Sequence, residues 1–156
     1  MGQKPITFIR QVLACCSDDS LLNDSKYPDD VKQRARELLG ACGGQSAGSY
    51  SDSAGVEYIR RHAAEYITNR DGIESRPEDI VLTTGSSEAV RAVLALINSS
   101  ATDGVPSGVM IPIPQYPLYT ATLAEYGMHP ISYYLDEANQ WSLSIPELER
   151  ALSEAR

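Results

Sequence analysis

The sequence has 156 residues and is 42% hydrophobic, so it is long enough for one globular domain with a core. Its formal net charge of −8 at pH 7 argues against a nucleic-acid partner, because binding the phosphate backbone needs clustered Lys and Arg. No stretch approaches the roughly 20 apolar residues that cross a bilayer, and Met1 to Arg10 does not have the pattern of a signal peptide. We therefore expect a cytoplasmic protein without a membrane or nucleic-acid partner, and a mitochondrial form that has lost its presequence stays open.

Three helices are predicted before Pro77, because apolar residues recur there at three- and four-residue steps. The second helix would begin at the capping residues Asp29 and Asp30 and stop at Gly43, and the third would stop at Gly72. A loop rich in Gly and Ser joins these two helices. The predicted ranges are 5–16, 29–42 and 56–70. The apolar stripe of the third helix consists of Val56, Ile59, Ala63, Tyr66 and Ile67.

After Pro77 the pattern alternates between strands and helices. IVLTT is short, β-rich and bounded by turn residues, and helically spaced apolar residues follow it. The last helix would begin near Ser144, which has capping-box spacing to Glu147. Strands separated by helices imply parallel pairing, so we predict an α/β fold with a mostly parallel sheet and flanking helices. The predicted strands are 80–84, 108–112 and 131–135, and the helices are 86–97, 118–126 and a last one from 144 onward.

The turn at Gly85 is the first candidate site. If IVLTT is a strand and SSEAVRAVLALI is a helix, then Gly85, Ser86 and Ser87 form the turn at the strand's carboxyl end and the first turn of the helix. Glycine lets the backbone bend or approach a ligand closely, and the free N–H groups together with the helix dipole favour an anion such as a phosphate. The alternative is an ordinary N-cap, in which Ser86 or Ser87 caps the helix and Glu88 complements the dipole.

Two tyrosine-bearing stretches are further candidates. In PIPQYPLY (112–119) the prolines restrict the backbone around Tyr116, and an aromatic ring at a strand's carboxyl end could stack on a flat heteroaromatic ring. Packing in the core is the alternative for Tyr116. The loop SYSDSAGVEYIRR offers Tyr50, Ser51 and Ser53 before a helix, and a turn capped by Ser53 is the alternative there.

Other reactive side chains receive structural interpretations. The cysteines lack zinc-ligand spacing and are interpreted as reduced, mostly buried thiols. His62 lies beside Arg60 and Arg61 on what we expect to be a solvated helix face. His129 has no Cys or carboxylate partner at ligand spacing, so no metal site is predicted. The cysteines are Cys15, Cys16 and Cys42.

Taken together, these stretches resemble the alanine aminotransferases, within the class I/II family of pyridoxal-phosphate enzymes. The resemblance rests on GQKPITFIRQVLA, ACGGQSAGSYSDSAGVEYIRRHAAEYITNRDG, VLTTGSSEAV, IPIPQYPLYTATLAEYG and YYLDE. It implies part of a large domain of the aspartate-aminotransferase type, known as fold type I. Residues 1–76 would be an N-terminal helical segment with a substrate-side loop, and residues 77–156 the first part of the cofactor-binding domain. The implied reaction moves an amino group between L-alanine and 2-oxoglutarate, giving pyruvate and L-glutamate.

The same resemblance implies a role for each candidate residue. The turn Gly85–Ser87 matches the turn that holds the phosphate of pyridoxal 5'-phosphate, and Tyr116 matches the aromatic residue that stacks on the pyridine ring. Tyr50 is similar to the tyrosine that reaches the phosphate of the neighbouring subunit's cofactor in the family's homodimers. The loop around Tyr50, residues 48–55, would lie near the substrate entrance and is here named the substrate-side loop, and Ser53 and Gly55 match it by position.

The family's Schiff-base lysine has no match in the sequence. A transaminase needs that lysine to bind its cofactor and move protons, and the chain has only Lys4, Lys26 and Lys32, all before the cofactor turn. No catalytic residue is therefore assigned, and we expect a fragment of an alanine aminotransferase that is inactive alone. The alternative is a non-catalytic truncated homologue that acts as a regulatory or dimerisation partner.

Overall fold

The computed structural model describes residue 2 and residues 4 to 155. Met1, Gln3 and Arg156, which belong to the predicted segments, lie outside the described residues. The chain divides into two compact units, unit 1 (Met1–Leu82) and unit 2 (Thr83–Arg156). The functional division at residues 76 and 77 stays a prediction.

Unit 1 contains the three predicted helices. They are α1 (Thr7–Ser17), α2 (Asp29–Gly40) and α3 (Glu57–Asp71). Helices α1 and α2 pack against each other through one apolar cluster, and removing these side chains from water supplies the main driving force for that contact. The buried members of the cluster are Val12, Cys15, Val31 and Ala35.

The helix ends of unit 1 correct two details of the prediction and confirm a third: α2 ends at Gly40 rather than at Gly43, and its start is not capped as predicted. Asp29 and Asp30 do not cap α2: Pro28 occupies the N-cap position, and the Asp30 carboxylate accepts a hydrogen bond from the Val31 N–H at 2.8 Å. Both carboxylates instead lie in the first turn, where they complement the helix dipole. Gly72 ends α3 as predicted, in the left-handed conformation with φ 68° that glycine adopts without strain.

Helix α3 is joined to α2 by a polar contact. The Tyr58 hydroxyl donates to Glu37 Oε2 at 2.6 Å and accepts from Arg34 at 2.8 Å. The Tyr58 hydroxyl first, and then Gln33, lower the pKa of Glu37 from its ordinary value of 4.5.

The predicted apolar stripe on α3 is wrong at two positions. Ile59 and Tyr66 are exposed, and the buried side of the helix lies instead at Arg60 and Ala64. The burial of an arginine beside an exposed isoleucine shows that hydrogen bonding, rather than hydrophobicity alone, sets the rotation of this helix.

Unit 2 contains a small parallel sheet with helices on either side in sequence. Within the described residues its elements are α4 (Ser86–Ile97), α5 (Ser100–Asp103), β1 (Gly108–Ile113), α6 (Leu118–Glu125), β2 (His129–Tyr134) and α7 (Ile145–Glu154). The strands pair in parallel from Gly108 opposite His129 to Ile113 opposite Tyr134. Helix α6 is the crossover that a parallel pair requires. Two of the three predicted strands and all the predicted helices are thus confirmed, while the short α5 was not predicted.

The predicted strand IVLTT is wrong, because residues 80–84 belong to no sheet in the structure. A strand is defined by its ladder of hydrogen bonds to a neighbour. In this segment the Leu82 N–H donates to the Ala54 carbonyl at 2.9 Å, and no described strand runs alongside to continue a ladder. The β-rich composition therefore produces an extended segment without a partner strand.

The core of unit 2 is built by α4, β1 and α6. Its buried members are Leu94, Ile111, Leu123 and Met128, with Val90, Val109 and Tyr126 packed against them. Leu123 is completely inaccessible to solvent. The crossover helix is thus fixed to the sheet by an apolar side chain from its middle.

Helix α7 begins without the predicted capping box. Ser144 occupies the N-cap position and makes no side-chain cap hydrogen bond. Glu147 instead accepts a hydrogen bond from the Tyr134 N–H at 2.9 Å and pairs with Arg150 at 2.7 Å. Arg150 first, and then the Tyr134 N–H, lower the pKa of Glu147 from 4.5 to about 2. This carboxylate therefore connects α7 to the end of β2.

We expect Leu123→Ala to destabilise unit 2 by about 2–5 kcal/mol, since truncating a buried leucine loses apolar burial and leaves a cavity. Urea unfolding followed by the fluorescence of Trp141, which lies in the same unit, measures the change. The matched control is Leu96→Ala on α4, because Leu96 is 85% exposed and surface substitutions change stability by about 0.5 kcal/mol or less. Equal unfolding midpoints for the two variants would contradict the described core.

We expect the stability of unit 2 to fall as the pH drops from about 4.5 towards about 2, because the ionised Glu147 is favoured in the folded chain and its pKa is depressed. The stabilisation by the ionised Glu147 is fully present above about pH 4.5 and is lost as this carboxylate is protonated. Glu147→Gln should remove this part of the pH dependence, so that its melting temperature lies below wild type near pH 6 and converges with it near pH 2.

Thermal melts between pH 2 and 6 test this expectation. Glu149→Gln is the matched control, because Glu149 is an exposed carboxylate on the same helix. If Glu149→Gln and Glu147→Gln flatten the pH profile equally, the contact between Glu147 and the Tyr134 N–H does not stabilise the unit.

Candidate functional site

The predicted phosphate turn lies at the amino end of α4. Gly85 occupies the N-cap position with φ 101° and ψ 165°, a conformation that side-chain-bearing residues rarely adopt. A Cβ atom at Gly85 would have no heavy atom within 4 Å, so the space in front of the turn is open. The Thr83 hydroxyl donates to the Gly85 carbonyl at 3.0 Å and thereby stabilises the turn.

The first turn of α4 has no side-chain cap. Neither Ser86 nor Ser87 occupies the N-cap position, so the alternative interpretation of these serines as ordinary caps is wrong. Both are exposed, and Glu88 is the one acidic residue of the first turn. Uncapped N–H groups, two exposed hydroxyls and the positive end of the helix dipole together form a surface suited to an anion.

Tyr116 follows the carboxyl end of β1 in the same unit as this turn. Tyr116 is 69% exposed as a residue, so the packing alternative for it is wrong. The Tyr116 carbonyl accepts a hydrogen bond from the Tyr119 N–H at 3.3 Å, which ties the residue to the start of α6. The Ile113–Pro114 peptide between the strand and Tyr116 is cis. Stacking of the ring on a cofactor stays a prediction.

The predicted substrate-side loop belongs to unit 1. Tyr50 is fully exposed, so its ring is covered by no described residue. Asp52, rather than Ser53, caps the turn that follows: its carboxylate accepts from the Ala54 N–H and its carbonyl accepts from the Gly55 N–H, both at 2.8 Å. The interpretation of Ser53 as a cap is therefore wrong, because the neighbouring carboxylate takes that place.

Gly55 is required by close packing as well as by backbone conformation. Its φ is 99°, and a Cβ atom there would lie 2.6 Å from Leu82 Cδ1. The loop can pass Leu82 at this distance only if the residue has no side chain. Whether Tyr50, Ser53 and Gly55 contact cofactor or substrate stays a prediction.

Arg60 is the residue that the sequence interpretation missed. It was expected on a solvated face with Arg61, yet Arg60 is 8% exposed, while Arg61 is exposed and pairs with Glu57 at 2.6 Å. The Arg60 guanidinium donates to the Gly55 carbonyl at 2.9 Å and to the Pro77 carbonyl at 2.8 Å. The signal for its burial was its four-residue spacing from Ala64.

Each unit has a concave region of interest. A cavity of about 300 Å³ in unit 1 is bordered by Tyr50, Asp52 and Arg60. A groove of about 500 Å³ in unit 2 runs between α4 and β1 and is lined mainly by apolar side chains. The groove belongs to the packing surface of the sheet, whereas the unit 1 cavity adjoins the substrate-side loop.

In the part of the chain that the structure describes, no group of three or more His, Cys, Asp or Glu residues is placed to hold a metal ion. The described helices include none that is long and apolar enough to cross a membrane. All lysines of the sequence belong to unit 1, and none belongs to the unit that carries the Gly85 turn.

Comparison with known proteins gives a consistent result. A sequence profile of the family described as aminotransferase class I and II matches residues 11–156. The chain is 55% identical over 157 residues to alanine aminotransferase 2 of Xenopus laevis and 52% identical over 158 residues to alanine aminotransferase 1 of Homo sapiens. It is also 42% identical over 162 residues to a putative alanine aminotransferase of Schizosaccharomyces pombe.

These alignments include 99% to 100% of this chain but 29% to 32% of the relatives, so the chain spans about a third of their length. Among solved structures, an alanine aminotransferase from Pyrococcus furiosus superposes with a TM-score of 0.61 at 19% identity, covering 94% of this chain and 40% of that one. This likeness confirms the predicted fold class, an α/β part of the fold type I large domain. Because the family profile matches almost the whole sequence, the chain belongs to the class I and II aminotransferase family.

Proposed function

We propose that the chain supplies the cofactor-phosphate turn of an alanine aminotransferase, which moves an amino group between L-alanine and 2-oxoglutarate and gives pyruvate and L-glutamate. The relatives are named alanine aminotransferases, which supports L-alanine as one substrate, while 2-oxoglutarate is the second substrate that the family resemblance implies. The single observation that supports it most directly in the structure is the uncapped, solvent-exposed amino end of α4 behind Gly85.

The residues of this turn fit a phosphate group. Gly85 leaves open space where a side chain would otherwise stand, and the exposed Ser86 and Ser87 hydroxyls can donate to phosphate oxygens beside the first N–H groups of the helix. When bound, pyridoxal 5'-phosphate supplies the electron sink for amino-group transfer. The role we propose for unit 2 is to bind and orient that cofactor.

The remaining candidates receive roles consistent with their exposure. Tyr116 would stack on the cofactor ring, since an exposed aromatic residue beyond the carboxyl end of β1 offers a flat apolar face. Tyr50 would reach the cofactor phosphate of a second copy in a homodimer, and its full exposure leaves it available for that contact. Ser53 and Gly55 would shape the substrate side of the loop. We place this function in the cytoplasm, where free cysteines persist.

Phosphate binding by the turn can be tested on the 156-residue chain itself. Titration with pyridoxine 5'-phosphate, which carries the phosphate but no aldehyde, should shift the backbone amide resonances of residues 86–88 in a saturable way. The double substitution Ser86→Ala/Ser87→Ala should weaken binding by about tenfold or more, because a hydrogen bond to a charged group contributes about 1.5–3 kcal/mol.

The control for this titration is Ser144→Ala, which changes the N-cap serine of α7, another helix start in the same unit. It should leave the affinity unchanged. Shifts that are absent from α4, or equal at α4 and α7, would contradict the proposed phosphate turn.

A chimeric enzyme tests the ring contact. Placing this chain in human alanine aminotransferase 1, in place of the 158 aligned residues, should give an enzyme that consumes L-alanine and 2-oxoglutarate. Within that chimera Tyr116→Ala should weaken cofactor retention by about threefold to tenfold, because an aromatic contact contributes about 0.5–1.5 kcal/mol beyond burial.

Tyr116→Phe is the matched control, because it keeps the ring and removes the hydroxyl alone. Cofactor retention after dialysis, measured by absorbance, separates the two variants. Equal loss from Tyr116→Phe and Tyr116→Ala would assign the effect to the hydroxyl and contradict stacking.

A further inference from the structure

The guanidinium of Arg60 is an exception among the arginines of unit 1, because it is buried by its own unit and directed at backbone carbonyls. Its Nε donates to the Gly55 carbonyl at 2.9 Å and its Nη1 to the Pro77 carbonyl at 2.8 Å. Nη2 lies 3.7 Å from Asp52 Oδ2. Three nitrogen atoms of one side chain thus contact two residues of one loop turn, Asp52 and Gly55, and one residue of a separate segment, Pro77.

These contacts converge on the end of the substrate-side loop. Asp52 closes the turn over Ala54 and Gly55, and the Ala54 carbonyl accepts from the Leu82 N–H at 2.9 Å. Leu82 also lies where a side chain on Gly55 would have to stand. The loop end and the segment from Pro77 to Leu82 are therefore held together, with Arg60 bonded to both.

Tyr50 stands two residues before this anchored turn and is itself fully exposed. Since no described side chain covers its ring, the backbone conformation fixes the direction of its Cα–Cβ bond and thereby the region that the ring can reach through its rotamers. The backbone after Tyr50 leads directly into the turn at Asp52, and Arg60 contacts this turn at Asp52 and Gly55.

We propose that Arg60 is a positioning residue, which presents Tyr50 and the substrate-side loop by clamping the Gly55 and Pro77 carbonyls with one guanidinium. The part played by Tyr50 rests on the proposed aminotransferase function, whereas the clamp itself does not. The clamp requires arginine in particular, because its planar group carries several donors in fixed directions, whereas lysine offers one nitrogen that cannot reach two separate carbonyls and a carboxylate together.

Hydrogen exchange of the unliganded 156-residue chain tests the clamp. In Arg60→Met the amides of Ala54, Gly55 and Leu82 should exchange at least about tenfold faster, because the loop opens locally. Amides in the middle of α2, in the α1–α2 core, should keep their wild-type rates. Arg61→Met is the matched control, because Arg61 is the next residue of the helix, carries the same charge and is exposed. This substitution should leave the exchange rates of the loop amides unchanged.

Arg60→Lys keeps the positive charge but removes the planar guanidinium with its several donors. It should therefore increase the hydrogen-exchange rates of the loop amides as Arg60→Met does. It also decides the outcome if Arg60→Met does not fold. Uniform acceleration throughout unit 1 would make Arg60 a general stabiliser and overturn the proposal, as would unchanged loop amides or wild-type behaviour of Arg60→Lys. Because no ligand is present, these outcomes are independent of the phosphate titration, which tests the aminotransferase function separately.

Discussion

Unit 2 depends on one parallel pairing of strands. Six residues of β1 lie beside six of β2, and a parallel pair can be connected only by a crossover that leaves the sheet and returns to it. Helix α6 is that crossover, and its buried Leu123 joins the side chains from α4 and β1. The same arrangement brings the chain out of β1 at its carboxyl end, the place where open α/β sheets bind ligands, and Tyr116 is among the first residues beyond it. The position of a candidate ligand-binding residue is therefore a direct result of how the two strands are connected.

Much of this fold could be predicted from the sequence because the periodic patterns in it are local. Helix spacing and the β-rich runs at β1 and β2 predicted those elements to within a few residues. IVLTT carried a signal of the same kind, but a strand also needs a partner, and local composition contains no information about whether one is alongside. The capping predictions at Asp29 and Ser144 failed for a related reason. Capping is decided by the direction in which a side chain points, and at α7 the carboxylate of Glu147 bonds to Tyr134 in the neighbouring strand instead.

The candidate site could be predicted in part. Gly85 was identifiable because a glycine between a β-rich run and a helix usually marks a backbone conformation that other residues avoid, and its φ of 101° has this character. Arg60 was missed because charge normally indicates exposure. Its burial is compensated by the carbonyl groups of Gly55 and Pro77, which lie 5 and 17 residues away, and because every residue carries a backbone carbonyl, the sequence does not mark these two as acceptors. A candidate ligand-binding residue such as Gly85 leaves a local signal in the sequence, whereas the contacts of Arg60 are recognised only in the folded chain.

The register of β1 has a consequence for association between chains. The Ser107 carbonyl accepts from the N–H of His129 in β2 and the Ile113 carbonyl from that of Leu135 just after it. The alternate residues Gly108, Met110 and Pro112 therefore direct their backbone groups towards the opposite side of the strand. Proline has no N–H to offer a further strand. A further strand that added to this edge of β1 would find backbone N–H donors at Gly108 and Met110 but none at Pro112, near the end of the strand that leads to Tyr116. The strand is thus protected against edge-to-edge aggregation at the end where a ligand would need free access.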